Sequence, residues 1–268
     1  MIVTIDDSLD PRLNAFRWRE RQLTTIAQRK SALNEGLFIA EGDLVVHRAL
    51  EAGCTPDVVL CDPKCASEFS DAVFNAGGTT LVASADIRRE VTGLGVPLDA
   101  IGVFKRPPLV SSDDLIAQSS RLIVLDCVDN PSNVGSIART AAALGWDGLL
   151  LDSTSSDPLS RRALRVSMGT TFKLGFARFA STNEILSQLH QSGFATIGLT
   201  PHHKSREVSN LRSIHIEGKR ALVLGSERQG LSDASLKQCT RLANITMADG
   251  VDSLNVASAS AIACFALL

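Results

Sequence analysis

Three stretches of the chain set polar groups beside turns at spacings that can do chemistry. The first is Asn130–Gly145, NPSNVGSIARTAAALG. Pro131 and Ser132 form a turn, and Ser132 or Asn133 is expected to cap the helix that follows. Val134, Ile137, Ala138 and Ala141 share one helical face, and Ser136, Arg139 and Thr140 the other. Arg139, in the second turn beyond a capped N-terminus, suits the holding of a phosphate or another anion. The same pattern also fits a solvated arginine on an amphipathic helix. The second stretch is Leu224–Leu231, LGSERQGL, where a strand ends in Gly225-Ser226 and Glu227 stands at its tip. Glu227 could accept hydrogen bonds from a ligand or orient Arg139, or simply cap the next helix. The third is Ile245–Ala257, ITMADGVDSLNVA, in which Ser253 and Asn255 precede a helix with no charge from Val256 to Leu268. A helix apolar on every side must be covered on every side. A partner subunit is the economical cover, and a fully internal helix is the other.

These groups need a scaffold. Apolar strand-like runs alternate with helical stretches, which favours an α/β fold. In the second half LIVLDCV, GLLLD, ATIGLT and ALVLGS read as strands, and the special residues lie near strand ends, where parallel sheets bind ligands. The first half reads as a small α/β domain with strands FIA, VVLCD, TTLVAS and IGVF. Two prolines and a Ser/Asp cluster between the halves read as a linker. The boundaries are thus 1–106, a linker over 107–120, and 121–268.

Composition excludes several classes. Of 268 residues 44% are hydrophobic and 21% charged, which fills a core and argues against disorder. The start, MIVTIDDSLD, has no basic n-region or long apolar stretch and is not read as a signal peptide. No apolar run reaches the roughly 18 residues that span a bilayer. Six cysteines without a CxxC pair read as reduced thiols of a cytoplasmic protein. There is no GxGxxG after a strand, no GxxxxGK[ST], no HExxH and no GxSxG. The adjacent His202 and His203 read as a solvated loop, and no metal site is expected. The net charge of −2 conceals two unlike halves, −5 over residues 1–120 and +3 over 121–268. The segment from Arg12 to Lys30 is rich in arginine, and Arg161, Arg162 and Arg165 cluster. Aromatics are only 4% with no Tyr, so recognition of a nucleic acid would rest on shape and backbone rather than stacking.

Taken together, NPSNVGSIARTAAALG, LVLGSERQGLS and ITMADGVDSLNVASASAIA resemble the three ordered motifs of the SpoU (TrmH-like) RNA ribose 2′-O-methyltransferases of the SPOUT superfamily. The resemblance covers Arg121–Leu268. More briefly, GLFIAEGDLVVHRALEAG resembles the substrate-binding domain that often precedes such domains. The resemblance implies a parallel-sheet domain with a deep trefoil knot. It implies S-adenosylmethionine bound by Leu199, Thr200, Leu224, Gly225, Ser226, Gly230, Ile245, Met247 and Leu254, and a homodimer through the knotted domain. It matches Asn133, Arg139, Glu227, Ser253 and Asn255 to the functional polar residues, with Arg139 in the place of the arginine proposed to activate the ribose hydroxyl. It also matches Arg165 and Ser167 to a stretch that contacts RNA. With Arg12, Arg17, Arg19, Arg161 and Arg162 these form the expected RNA-binding set, with ribosomal RNA favoured over transfer RNA by analogy. Thr246, Ala257 and Arg228 depart from the proline, serine and glycine common in the family, but none removes a proposed catalytic group. A non-catalytic RNA-binding or assembly protein on the same scaffold is the alternative.

Overall fold

The computed structural model describes residues 2–30 and 34–268, which form two compact units. The first comprises Met1–Leu109 with Leu159–Phe172, and the second Val110–Pro158 with Lys173–Leu268.

The first unit is built on β1 (Ile2–Ile5), β2 (Leu37–Glu41), β3 (Pro56–Cys61), β4 (Thr79–Ala83) and β5 (Ala100–Lys105), in the order β1-β4-β3-β5-β2. β1, β4 and β3 run parallel, while β5 runs antiparallel to both β3 and β2. Its core gathers Phe16, Ile39, Leu60, Leu81, Ile101 and Val103. The opening IVTI, not expected as a strand, is edge strand β1, paired with Thr80–Ala83.

Leu159–Phe172, read from sequence as part of the second half, packs within this first unit. Ser160 caps the helix Arg161–Ser167 through a hydrogen bond from the Ala163 N–H, 3.4 Å. Arg48 donates to the Met168 carbonyl at 2.6 Å, one residue beyond the helix. Gly169, at φ +75°, lies so close to Val45 and Arg48 that a Cβ would fall 3.3 Å from each. Phe172 meets the Phe38 ring with centroids 5.7 Å apart.

The second unit holds β6 (Arg121–Asp126), β7 (Gly148–Leu151), β8 (Gly175–Arg178), β9 (Ala195–Leu199), β10 (Val208–Asn210), β11 (Arg220–Gly225) and β12 (Arg241–Asn244). The order is β10-β12-β9-β11-β6-β7-β8, and every pairing is parallel. Alternate residues feed two cores, as a period of two dictates. Ile123, Leu125, Leu222 and Leu224 face the helices Pro131–Ala143 and Val256–Ala266. Leu122, Val124, Ala221 and Val223 face the helices Ser112–Gln118 and Thr182–Gln191. Sheets covered on both sides have such near-continuous apolar strands. The helix Ser112–Gln118 occupies half of the expected linker, with Ser111 as its cap and Leu115 and Ile116 buried. Among the described residues no helix is long and apolar enough to cross a membrane.

All six cysteines are unpaired thiols. Burial pushes Cys54 and Cys61 up to about 11, and Cys239 and Cys264 up to about 12. A thiol reacts as its thiolate. At about pH 8 a disulfide reagent is therefore expected to reach only the partly exposed Cys65 and Cys127 in native protein, and all six after unfolding. Rapid modification of the four buried thiols without denaturant would refute this packing.

Candidate functional site

The three polar stretches meet at the carboxyl ends of the parallel strands of the second unit. Gly225 ends β11 beside Asp126 at the end of β6, and Leu199 of β9 pairs with Ala243 of β12. The helix Pro131–Ala143 starts two residues earlier than a Ser132 cap requires and three earlier than an Asn133 cap requires. Its cap is Asn130, whose side chain accepts the Ser132 N–H at 2.9 Å, with Pro131 in the first turn. Asn133 is thereby moved inside the helix and buried. Its neighbours Val134, Ile137, Ala138 and Ala141 are buried too, as the helical period requires.

Asn255 joins the three stretches. Its Nδ2 donates to Asn133 Oδ1 at 3.1 Å and to Glu227 Oε1 at 2.6 Å. Its Oδ1 accepts the Ala257 N–H at 2.8 Å, capping the helix Val256–Ala266. One amide thus fixes the start of a helix, an interior helical asparagine and a loop carboxylate. The amide must point its nitrogen at both oxygens, because its own oxygen is taken by the helix. Arg139 and Ser253 are exposed, and among the described residues neither side chain makes a hydrogen bond or ion pair. The structure therefore gathers Asn133, Glu227 and Asn255, and leaves Arg139 and Ser253 at the surface.

The loop carrying Glu227 is closed at its base. Ser226 and Gly230 exchange N–H···O bonds of 3.1 and 3.0 Å. Gly225 is buried beneath this closure, and a Cβ there would lie 2.2 Å from the Gly230 carbonyl carbon. Asp126, which the sequence reading passed over, secures the loop's exit. Its Oδ2 accepts the Ser232 N–H at 2.8 Å and the Ser235 hydroxyl at 2.6 Å. The signal available was an acid closing the otherwise apolar strand LIVLD. Asp152 does similar work after β7, accepting from Cys127 N, Ser155 N and Thr154 N at 3.1, 2.9 and 3.1 Å. Burial raises the Asp152 pKa, but the bonds from Ser155, Thr154 and Cys127 outweigh it and hold the carboxyl below its ordinary value.

The remaining loop positions suit a ligand with an apolar face and polar edges. Leu199 and Ile245 are half-buried against the sheet core, Met247 is half-buried, and Leu254 is exposed. Leu224 is buried in the strand itself. Thr200 donates its N–H to the Ala243 carbonyl at 2.9 Å, fixing where β9 gives way to its loop. A Cβ on Gly230 would meet only open space. Thr246 accepts a hydrogen bond from Asn210 at 2.7 Å.

The arginines expected to bind RNA divide. Arg12 pairs with Asp10 at 2.5 Å, Arg17 donates to the Ser8 carbonyl, and both are exposed, as are Arg19, Arg162 and Arg165. Ser167 presents no surface, and Arg161 is half-buried. The Arg161 guanidinium donates inward to the Phe16 and Trp18 carbonyls, and burial lowers its pKa while Glu41 and Glu20 oppose that shift. Ser167 is fully buried, donating to the Leu164 carbonyl and accepting from Thr171, each at 3.0 Å. Ser167 has no surface to offer the RNA it was expected to touch, and the Arg161 guanidinium is committed to contacts within the first unit.

An all-parallel sheet with helices on both faces and polar loops at its carboxyl edge defines a ligand-binding α/β domain. Residues 120–265 match the model of the SpoU rRNA Methylase family, and the chain belongs to that family of RNA methyltransferases. An uncharacterized tRNA/rRNA methyltransferase of Mycobacterium bovis is 34% identical over 260 residues, 97% of this chain and 89% of that one. The AdoMet-bound rRNA methyltransferase from Sinorhizobium meliloti matches with a TM-score of 0.83 and 25% identity, over 99% of this chain and 97% of that one. The SpoU methyltransferase AviRb from Streptomyces viridochromogenes, in complex with AdoMet, shares the fold. Its TM-score is 0.75 at 24% identity, with 96% of each chain covered.

Proposed function

We propose that the protein transfers the methyl group of S-adenosylmethionine to a ribose 2′-hydroxyl of structured RNA, with ribosomal RNA the first candidate. The observation that carries this reading is Asn255 joining Asn133 and Glu227 at the carboxyl edge of the sheet. The cofactor supplies a methyl already activated on a sulfonium. The chain's task is to bind, orient and stabilise. The loops after β9, β11 and β12 hold the cofactor through the half-buried Leu199, Ile245 and Met247, with exposed Leu254 beside them. Arg139 stays protonated and so serves as a phosphate clamp and as a stabiliser of charge on the attacking oxygen rather than as a base. Asn255 occupies one carboxylate oxygen of Glu227, and the other is available to the ribose hydroxyl as an acceptor. Ser253 borders the same opening. Most of the rate then comes from positioning.

The first unit, with its exposed Arg12, Arg17 and Arg19, is the RNA-binding part of this reading. The deep trefoil knot belongs to it as well. It is supported by β12 lying between β9 and β10 while the last helix returns to pack on Pro131–Ala143. An experimental trace of residues 245–255 checks it. The last helix also supports a homodimer: it buries Val256, Ala259, Ala263 and Cys264 but leaves Ile262 43% and Phe265 70% exposed, with Leu268, just beyond its end, 47% exposed. A stripe of this kind asks for a partner, and a second copy supplies an identical stripe. Phe265→Asp is expected to shift the protein to monomer in light scattering, and a wild-type monomer at micromolar concentration would overturn the dimer.

The test of the function is incubation with labelled S-adenosylmethionine and total RNA, followed by mapping of 2′-O-methyl positions. Label at a ribose oxygen is expected. Label on a base, or no cofactor binding at millimolar concentration, would overturn the reading. The second result would leave a non-catalytic RNA-binding scaffold.

A further inference from the structure

The first unit holds a carboxylate between two guanidinium groups. Glu41 ends β2, and its side chain is only 2% exposed. Arg161 and Arg165 stand one helical turn apart and share a face. Arg161 Nη1 lies 3.4 Å from Glu41 Oε1, and Arg165 Nη2 lies 3.4 Å from Oε2.

The two arginines are not equivalent. Arg161 is anchored from several sides: its Nη2 donates to the Phe16 carbonyl at 2.6 Å and the Trp18 carbonyl at 3.0 Å, and its backbone N–H donates to Glu20 at 2.8 Å. The Arg165 side chain is 47% exposed, and among the described residues Glu41 is its one ion-pair partner. Glu41 Oε2 is buried and accepts no hydrogen bond, so Arg165 is held to it by charge alone. An ion pair with one end in solvent binds weakly and exchanges readily. A phosphodiester offers a guanidinium two parallel hydrogen bonds, which Glu41 does not. Departure of Arg165 would not strand the carboxylate, because Arg161 remains beside it.

We propose that Glu41 is a built-in competitor of RNA for Arg165, whose guanidinium leaves the carboxylate for a backbone phosphate when RNA docks on the first unit. Arg161 stays in place and keeps the segment Leu159–Phe172 packed. The inference rests on the reading of the protein as an RNA methyltransferase and adds to it a residue that sets RNA affinity.

The test is filter binding of labelled ribosomal RNA to the full chain across a salt series. It compares wild type, Glu41→Gln, Arg165→Gln and the double variant. Glu41→Gln is expected to tighten binding by about threefold at low salt, since it removes the charge that competes with phosphate for Arg165. Arg165→Gln is expected to weaken binding by about tenfold and to reduce the salt slope by about one. In the Arg165→Gln background, Glu41→Gln is expected to change nothing, because the two residues act through one contact. A purely structural Glu41 would shift affinity equally in both backgrounds. That result, or looser binding by Glu41→Gln, overturns the competition while leaving RNA binding standing. Glu41→Asp shortens the side chain by one methylene and draws the carboxylate back from Arg165, so it is expected to give the same sign of change should Glu41→Gln fail to fold. No binding of ribosomal or transfer RNA by the wild-type protein overturns both the inference and the reading beneath it.

Discussion

Arg139→Ala is expected to lower the rate of RNA methylation by about 10²–10³-fold, the usual loss when one charge-stabilising donor is removed. It is expected to change folding stability by less than about 0.5 kcal/mol, because the side chain is exposed and supports no other group. That combination separates a catalytic guanidinium from a structural one. Arg161 provides the contrast: it is anchored by two carbonyls and a carboxylate, and its loss would appear in the melting curve. Arg139→Lys sharpens the result. Lysine keeps the charge but loses the planar fork, so a partial defect indicates bidentate anion binding and full activity indicates charge alone. Single-turnover rates with saturating cofactor, read beside a thermal melt, make the measurement. Wild-type turnover in Arg139→Ala would remove Arg139 from the mechanism.

The parts of the protein legible in its sequence are those governed by local period and composition. The buried face of the Pro131–Ala143 helix followed from Val134, Ile137, Ala138 and Ala141 alone. The uncharged last helix announced that it would be covered, and its exposed Ile262 and Phe265 show that the chain covers one side only. What escaped depends on contacts distant in sequence. IVTI is too short to declare itself and becomes a strand only by pairing with β4. Leu159–Phe172 looks like the basic helix of its neighbours, yet Glu20, Glu41 and the carbonyls of Phe16 and Trp18 draw it into the first unit. Ser167 carries the residue type of a surface contact, but the turn from Met168, at φ +52°, to Gly169 places it against Thr171. The capping error had a local cause. Pro131 lacks an N–H and favours the first helical turn, which makes the residue before it the cap.

Gly225→Ala is expected to be the most damaging single methyl group that can be added to the second unit. A Cβ at residue 225 would lie 2.2 Å from the Gly230 carbonyl carbon, 2.3 Å from its oxygen and 2.4 Å from the Leu231 nitrogen. None of these atoms is the end of a flexible side chain, so the clash must move backbone. The backbone in question is closed by the paired bonds between Ser226 and Gly230, and the loop's exit is fixed by Asp126 through Ser232 and Ser235. Relief on one side breaks the Ser226–Gly230 closure, and relief on the other displaces β11 from Asp126 in the next strand. Overpacking a yielding core costs about 1–3 kcal/mol, and a clash with backbone on this scale belongs at or above the top of that range. The loop also carries Glu227, whose bond to Asn255 connects it to Asn133. The effect should therefore reach cofactor binding before the unit unfolds. Calorimetry is expected to show S-adenosylmethionine affinity falling by more than tenfold, together with a lowered melting temperature. The comparison is Gly230→Ala, where a Cβ meets open space and only the φ of +68° is strained, at about 1–2 kcal/mol. If Gly225→Ala melted and bound cofactor like wild type while Gly230→Ala did not, the close approach of these two backbones would not be what shapes the loop.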